Sequence, residues 1–336
     1  MKNSDEYRAD AVFEGGGVKG IGLVGAVSVA EERGYRWINV AGTSAGAIVA
    51  ALLAAGYSAF ELKAIMQELD YRRFKDTTLL DKVPIAGPLG SLIFEKGIYE
   101  GNFLENWIRD LLRQKGIETF GDLIVEEFKS DERYRFKLRV IASDITRGRM
   151  LVLPQDIADF AIRPEDLDVA TAVRMSMSIP FFYEPVKLKK RKSDEASYIV
   201  DGGLLSNFPV WLFDSESGMP EWPTFGFKLA EPEEGSPNRI RGPVSLLAAL
   251  FSTMMEAHDA RYIEDTEFVR TVAIPTLGIK TTEFDISPAR SEELYQSGRQ
   301  AAEKFFDTWN FERYASKYRR EEARIVRRVR VWQSSV

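Results

Sequence analysis

The sequence predicts an α/β protein built on a mainly parallel sheet covered by helices on both faces. Three observations predict it. Through the first 56 residues, short apolar runs alternate with stretches of helical spacing in the order strand, helix, strand, helix. That order suits parallel strands with helices packed over them. Residues 45–55 are apolar nearly all round, as a helix in the middle of a core must be. The chain of 336 residues is 45% apolar and 12% aromatic, enough to build a sizeable core.

Each element follows from local pattern. Ala11, Val12 and Phe13 read as a buried strand that feeds the tight turn Gly15-Gly16-Gly17. Residues 18–32 have helical apolar spacing, and Gly34 stops them. Residues 37–41 read as a second strand broken by Gly42, and 45–55 as a helix closed by Gly56. Residues 71–101 interrupt the alternation, because Pro84, Gly87, Pro88, Gly90, Gly97 and Gly101 punctuate Leu89, Leu92, Ile93 and Phe94. A long segment of this kind is expected to be a lid. Residues 102–115 read as a helix, 136–143 and 150–153 as strands around a turn, and 168–177 as a helix ending before Pro180. Strands are expected at 186–188 and 198–200 around the basic loop of Lys187, Lys189, Lys190, Arg191 and Lys192. This loop reads as a solvated hairpin tip, or as a surface for lipid phosphates. Later strands at 224–229 and 271–275 are covered by helices at 243–267 and 287–308. The expected organisation is one domain over 1–310 and a basic helix or extension over 311–336. Within that extension, residues 313–330 carry eight basic side chains against Glu321 and Glu322. Such a run is a solvated helix face or one drawn to anionic lipid.

Composition removes several function classes. The net charge of −6 argues against a nucleic-acid partner that binds through overall charge. With no cysteine there are no disulfides, thiolate zinc sites or cysteine nucleophiles. The one histidine, His258, cannot form a histidine metal cluster, and any serine–histidine triad must use it. No metal or cofactor is expected. The first ten residues lack the apolar stretch of a secretory signal, and the run at 45–55 falls short of the roughly 18 residues that span a bilayer. The expectation is a cytoplasmic protein that meets membranes, if at all, peripherally.

Three motifs carry chemistry. Gly42-Thr43-Ser44-Ala45-Gly46 matches the G-x-S-x-G elbow, in which a nucleophile tops a strand and the chain turns sharply into a helix. Flanking glycines remove side chains that would clash, and the Ala45 N–H points to where an oxyanion forms. Gly15-Gly16-Gly17-Val18-Lys19-Gly20 lies between a strand and a helix. It fits a dinucleotide fingerprint, but the acidic residue such a site wants about 20 positions further on is replaced by the serine elbow. It fits an oxyanion hole better, with backbone amides of Gly15, Gly16 and Gly17 at a helix N-terminus. Lys19 is expected either to orient that loop or to be a surface charge. Asp201-Gly202-Gly203 follows an apolar strand, where a carboxylate freed by two glycines can reach across the sheet edge; the alternative is a turn aspartate capping its own backbone.

Together these motifs resemble the patatin-like phospholipase family. The resemblance rests on 14–20, on 42–46 and on Asp201-Gly202-Gly203. It is reinforced by the segment 173–182, reading Val-Arg-Met-Ser-Met-Ser-Ile-Pro-Phe-Phe. It implies a three-layer α/β/α sandwich and a hydrolase of lipid acyl esters. It puts the nucleophile on Ser44, the base on Asp201 and the oxyanion glycines on Gly15 to Gly17. An ordinary aspartate pKa near 3.9 is too low for a good base, so Asp201 is expected to be partly buried. The rivals are a triad with His258, a nucleotide-binding protein using Gly15 to Gly20, and a lipid-binding protein without catalysis. Phe181, Phe182 and Tyr183 are read as core, or as the lining of an acyl channel.

Overall fold

The apolar run near the N-terminus becomes the middle of the sheet. The computed structural model describes residues 7–69, 73, 101–180, 182–189, 196–214, 220–230, 240, 249–250, 253, 269–281, 283 and 285–316. In it β1 (Tyr7–Phe13) pairs in parallel with β2 (Tyr35–Thr43) on one side and β7 (Thr224–Ala230) on the other. Period-two alternation sends Ala9, Ala11 and Phe13 into the large core and Val12 to the opposite face. The described sheet has eight strands in the order β5 (Val186–Lys189), β6 (Ala196–Asp201), β3 (Leu138–Asp144), β2, β1, β7, β8 (Thr271–Pro275), and β4 (Arg149–Leu153) also pairs with β3. The pairs β1–β2, β1–β7, β2–β3 and β7–β8 are parallel, and β3–β4, β3–β6 and β5–β6 are antiparallel.

Helices α1 (Gly20–Glu32), α2 (Ala45–Ala54), α3 (Ala59–Glu68), α4 (Asn102–Gln114), α5 (Val169–Ser176) and α6 (Pro288–Thr308) flank the sheet. The expected α/β architecture, a mainly parallel sheet flanked by helices, is what forms. All ten residues of α2 are buried, as its apolar sequence requires. Among the described residues the two faces are covered unequally. Buried side chains of all six helices join one core with Val40, Leu138, Phe225 and Ile274 of the strands. A smaller cluster on the other face sets Val12, Ala41 and Ile141 against the 3-10 turn Val210–Phe213.

Several boundaries differ from expectation. Gly42 does not break β2, because it pairs with Phe13 on one side and Val140 on the other and the strand continues to Thr43. The helix expected at 18–32 starts as a 3-10 turn, Gly17–Lys19, before α1. Helix α3 is additional: Ser58 caps it and Glu61 reaches back to the Ser58 N–H at 2.8 Å, a complete capping box. Some expectations lie outside the described residues. These are the segment 71–101 apart from Arg73 and Gly101, Phe181, loop residues 190–195, His258 with most of the helix at 243–267, and the basic extension from 317 on.

Candidate active site

The chain between β2 and α2 turns through one residue, Ser44, at φ 53° and ψ −126°. This backbone shape costs a non-glycine residue of order 1–3 kcal/mol and persists only where its surroundings impose it. They do so here. The Ser44 N–H donates to Ser176 Oγ at 2.9 Å, and the Ala47 N–H donates to Ser44 O at 2.8 Å. A Cβ at Gly42 would strike the Gly46 carbonyl, and one at Gly46 would strike the carbonyls of Phe13 and Glu14. Both glycines are required for the turn to close.

The pairing registers bring Asp201 to the same point. β4 occupies one edge of β3 over residues 140–144, so β2 and β6 must share the other edge. β2 runs along it up to Thr43, opposite Ile141; β6 runs the opposite way and ends at Asp201, opposite Ala142. One more residue of β2 brings Ser44 to the level of Ala142. The two strands therefore meet head to head, with the serine at one tip and the aspartate at the other. Gly202 keeps the junction tight, since a Cβ there would collide with the Ile141 carbonyl.

Asp201 is 0% exposed. Its Oδ1 accepts the Gly203 N–H at 2.7 Å, and its own N–H donates to Ser178 O at 2.9 Å. Its Oδ2 has no hydrogen-bond partner among the described residues. Burial pushes its pKa up to about 7, with the Gly203 N–H and the nearby Ser44 hydroxyl pulling the other way. The Ser44 hydroxyl is thus close enough to favour the ionised carboxylate. The hydrogen bond whose geometry is complete, however, runs from Oγ to Met177 Sδ at 3.5 Å. Asp201 is more deeply buried than the partial burial expected from sequence, and its base strength is matched to neutral pH.

The glycine loop lies alongside. Buried Glu14 ties it to β7, accepting from the Leu229 N–H and pairing with Lys228 Nζ at 3.1 Å. Gly15 departs from its expected role as an oxyanion donor: its N–H already donates to Asn207 O at 3.2 Å, and Asn207 Nδ2 donates back to Gly15 O at 3.3 Å. The amides of Gly16, Gly17 and Ala45 have no acceptor among the described residues. Lys19 is not a surface charge; it is 6% exposed, packed beside Gly16. The carboxylate a dinucleotide site would need at the end of β2 is missing, since Thr43 and Ser44 occupy that place. Gly20 opens α1, and Asp201 is itself the N-cap of the 3-10 turn Gly202–Leu204 through the Gly203 N–H, so it caps its own backbone as well as facing Ser44.

An apolar pocket opens beside these amides, lined by Gly17 and Ala45 together with Val18, Ile48, Met66, Trp107 and Met177. Residues 176–178 form a wall shared by Ser44 and Asp201. Buried Arg174 braces this wall by donating to Ser178 Oγ and to Glu184 O, the latter at 3.0 Å, with its guanidinium 5.2 Å from the Tyr183 ring centre. Sequence reasoning assigned no role to Ser176, Met177 or Asn207. Ser176 and Met177 lie inside the segment 173–182 that the resemblance used, but Asn207 carries no local signal. Among the described residues no helix is long and apolar enough to cross a membrane.

Known proteins share both the sequence pattern and the fold. Residues 11–214 match the sequence profile of the patatin-like phospholipase family. The uncharacterized protein YqhO of Bacillus subtilis (strain 168) is 42% identical over 308 residues, covering 90% of this chain and 99% of YqhO. Probable lipid hydrolase 463L of Invertebrate iridescent virus 6 is 25% identical over 207 residues, covering 61% of this chain and 63% of that protein. The crystal structure of VipD from Legionella pneumophila superposes with a TM-score of 0.54 at 18% identity, over 91% of this chain and 67% of VipD. That last likeness is one of fold.

Proposed function

The chain belongs to the patatin-like phospholipase family, and from that premise we propose that it hydrolyses acyl esters of lipids, of phospholipid or lysophospholipid type, through a Ser44–Asp201 dyad. The observation that carries this reading is the head-to-head junction of β2 and β6, with a hydroxyl on one tip and a buried carboxylate with an open oxygen on the other.

The chemistry runs as an acyl transfer in two halves. Asp201 Oδ2 takes the Ser44 proton as Oγ attacks the ester carbonyl. The amides of Gly16, Gly17 and Ala45 hold the developing oxyanion, and each such donor is worth roughly 10²–10³ in rate. The C–O bond to the alcohol or lysolipid breaks, and Asp201 returns the proton to that leaving oxygen. Water then gives a proton to Asp201 and attacks the acyl-Ser44 ester; the collapse frees the fatty acid and restores the hydroxyl. The pocket beside Ala45 suits an acyl chain, because its lining is apolar.

A panel of phospholipids, lysophospholipids and simple acyl esters tests the proposal. Wild type and His258→Ala should release fatty acid, and Ser44→Ala should not. A fluorophosphonate should label Ser44, which a lipid-binding protein without catalysis would not permit. Undiminished hydrolysis by Ser44→Ala would sink the reading, and near-total loss in a folded His258→Ala would replace the dyad with a triad. The pH dependence has a definite sign. The base acts ionised, so with its pKa near 7 the value of kcat/KM should rise about tenfold per pH unit below 7 and level off above it. A profile already flat from pH 5 upward would contradict Asp201 as base.

A further inference from the structure

Among the described residues, one side chain both lines the apolar pocket and accepts the Ser44 hydroxyl. Met177 Sδ takes that hydrogen bond at 3.5 Å while the Asp201 carboxyl, whose Oδ2 has no partner among the described residues, lies close enough to compete for the same hydroxyl. A thioether is a weak acceptor and a carboxylate a strong one, so a hydroxyl free to rotate between them favours the carboxylate. The resting arrangement therefore reflects how Met177 is packed. Its neighbours are pinned on both sides: Ser176 Oγ holds the Ser44 N–H and Ser178 O holds the Asp201 N–H. The main chain at 177 cannot move without disturbing both groups. The side chain can, because methionine has three rotatable bonds and adapts to fill irregular gaps.

We propose that Met177 is a positioning residue that couples filling of the apolar pocket to activation of Ser44. With the pocket empty, the thioether lies against Oγ and competes with Asp201 for its proton. An acyl chain entering the pocket competes for the same space; the thioether withdraws, and the hydroxyl turns to Asp201 Oδ2. The chain binds the withdrawn arrangement in preference to the resting one, which is what allows it to shift the balance. This inference rests on the Ser44–Asp201 reading and adds to it a preference for long acyl chains that appears in kcat as well as KM.

The test uses Met177→Leu, which keeps volume and apolarity but removes the acceptor. Nitrophenyl butyrate presents a four-carbon acyl chain to the apolar lining and nitrophenyl decanoate a ten-carbon one, so the pair contrasts small and large apolar occupancy. In the variant, the ratio of kcat for the butyrate to kcat for the decanoate should rise roughly 2- to 10-fold, the net worth of one hydrogen bond. An unchanged or lowered ratio overturns the proposal. A second measurement needs no active variant. In wild type, decane should speed the labelling of Ser44 by a small fluorophosphonate; slowing or indifference overturns the proposal. If Ser44 takes no label under any condition, the dyad reading falls together with this one. Labelling that is normal but insensitive to decane removes only the role of Met177.

Discussion

Asp201→Asn should cost roughly 10⁴–10⁶ in kcat/KM for ester hydrolysis, the span between losing the orienting aspartate and losing the base of a serine triad, and it should make the protein harder to unfold at neutral pH. Both effects have one cause. Asn can still accept the Gly203 N–H, so the turn after β6 survives, but it cannot take the Ser44 proton. The stability gain follows from burial. In the folded chain the Asp201 pKa stands near 7, against an ordinary 3.8. Below about pH 4 the group is protonated in both states and costs the fold nothing. As pH rises towards 7 the unfolded state loses its proton and the folded state keeps it, so stability falls across that window. Above about pH 7 the full penalty is in place, on the order of 4 kcal/mol at 1.36 kcal/mol per pKa unit. Asn has no such window. Asp10, buried on β1 and accepting the Asn39 N–H at 3.0 Å, is pushed up to about 8 and adds a slope of the same sign. It is present in both proteins, so the wild-type-minus-variant difference in thermal unfolding between pH 4 and 7 isolates Asp201. Equal pH dependence in the two proteins would show that Asp201 is not held in this state.

The parts of the site that were legible in the sequence are those dictated by local backbone sterics. Gly42 and Gly46 announce Ser44 because no side chain fits beside that turn, and the all-apolar α2 announces burial on every side. The strand before Asp201 was legible as an apolar run, but its direction was not. Nothing in Ala196–Asp201 says that it runs against β3, and it is this reversal that sets Asp201 tip to tip with Ser44. Gly42 misled on strand length because glycine weakens an isolated strand, whereas here partners on both sides hold it. Gly15 misled for a related reason: a glycine amide near a site is a donor only if nothing else claims it, and Asn207, 192 positions away, does. The capping box of α3 was readable at Ser58 and Glu61. Ser176 and Met177 become meaningful only once tertiary contact sets them against Ser44.

Ser44→Gly should abolish hydrolysis and at the same time stabilise the fold, whereas Ser44→Ala should abolish hydrolysis with no such gain. Without the hydroxyl neither variant can form an acyl-enzyme, and subtilisin losing its serine drops about 10⁶ in kcat. Their stabilities separate because the strain at position 44 belongs to the backbone. At φ 53° and ψ −126° any residue with a Cβ carries about 1–3 kcal/mol of strain, and glycine almost none. Against this stands the extra freedom glycine gives the unfolded chain, about 0.4–1 kcal/mol. Relief of strain outweighs that freedom, so the glycine variant should unfold later than both wild type and the alanine variant, by about 1 kcal/mol. Chemical denaturation of the three proteins side by side measures this. If glycine is less stable than alanine by the roughly 0.4–1 kcal/mol that its freedom in the unfolded chain costs, the elbow is unstrained. If glycine is the more stable, the strain is a cost carried so that Oγ can sit at the tip of β2, facing the carboxylate at the tip of β6.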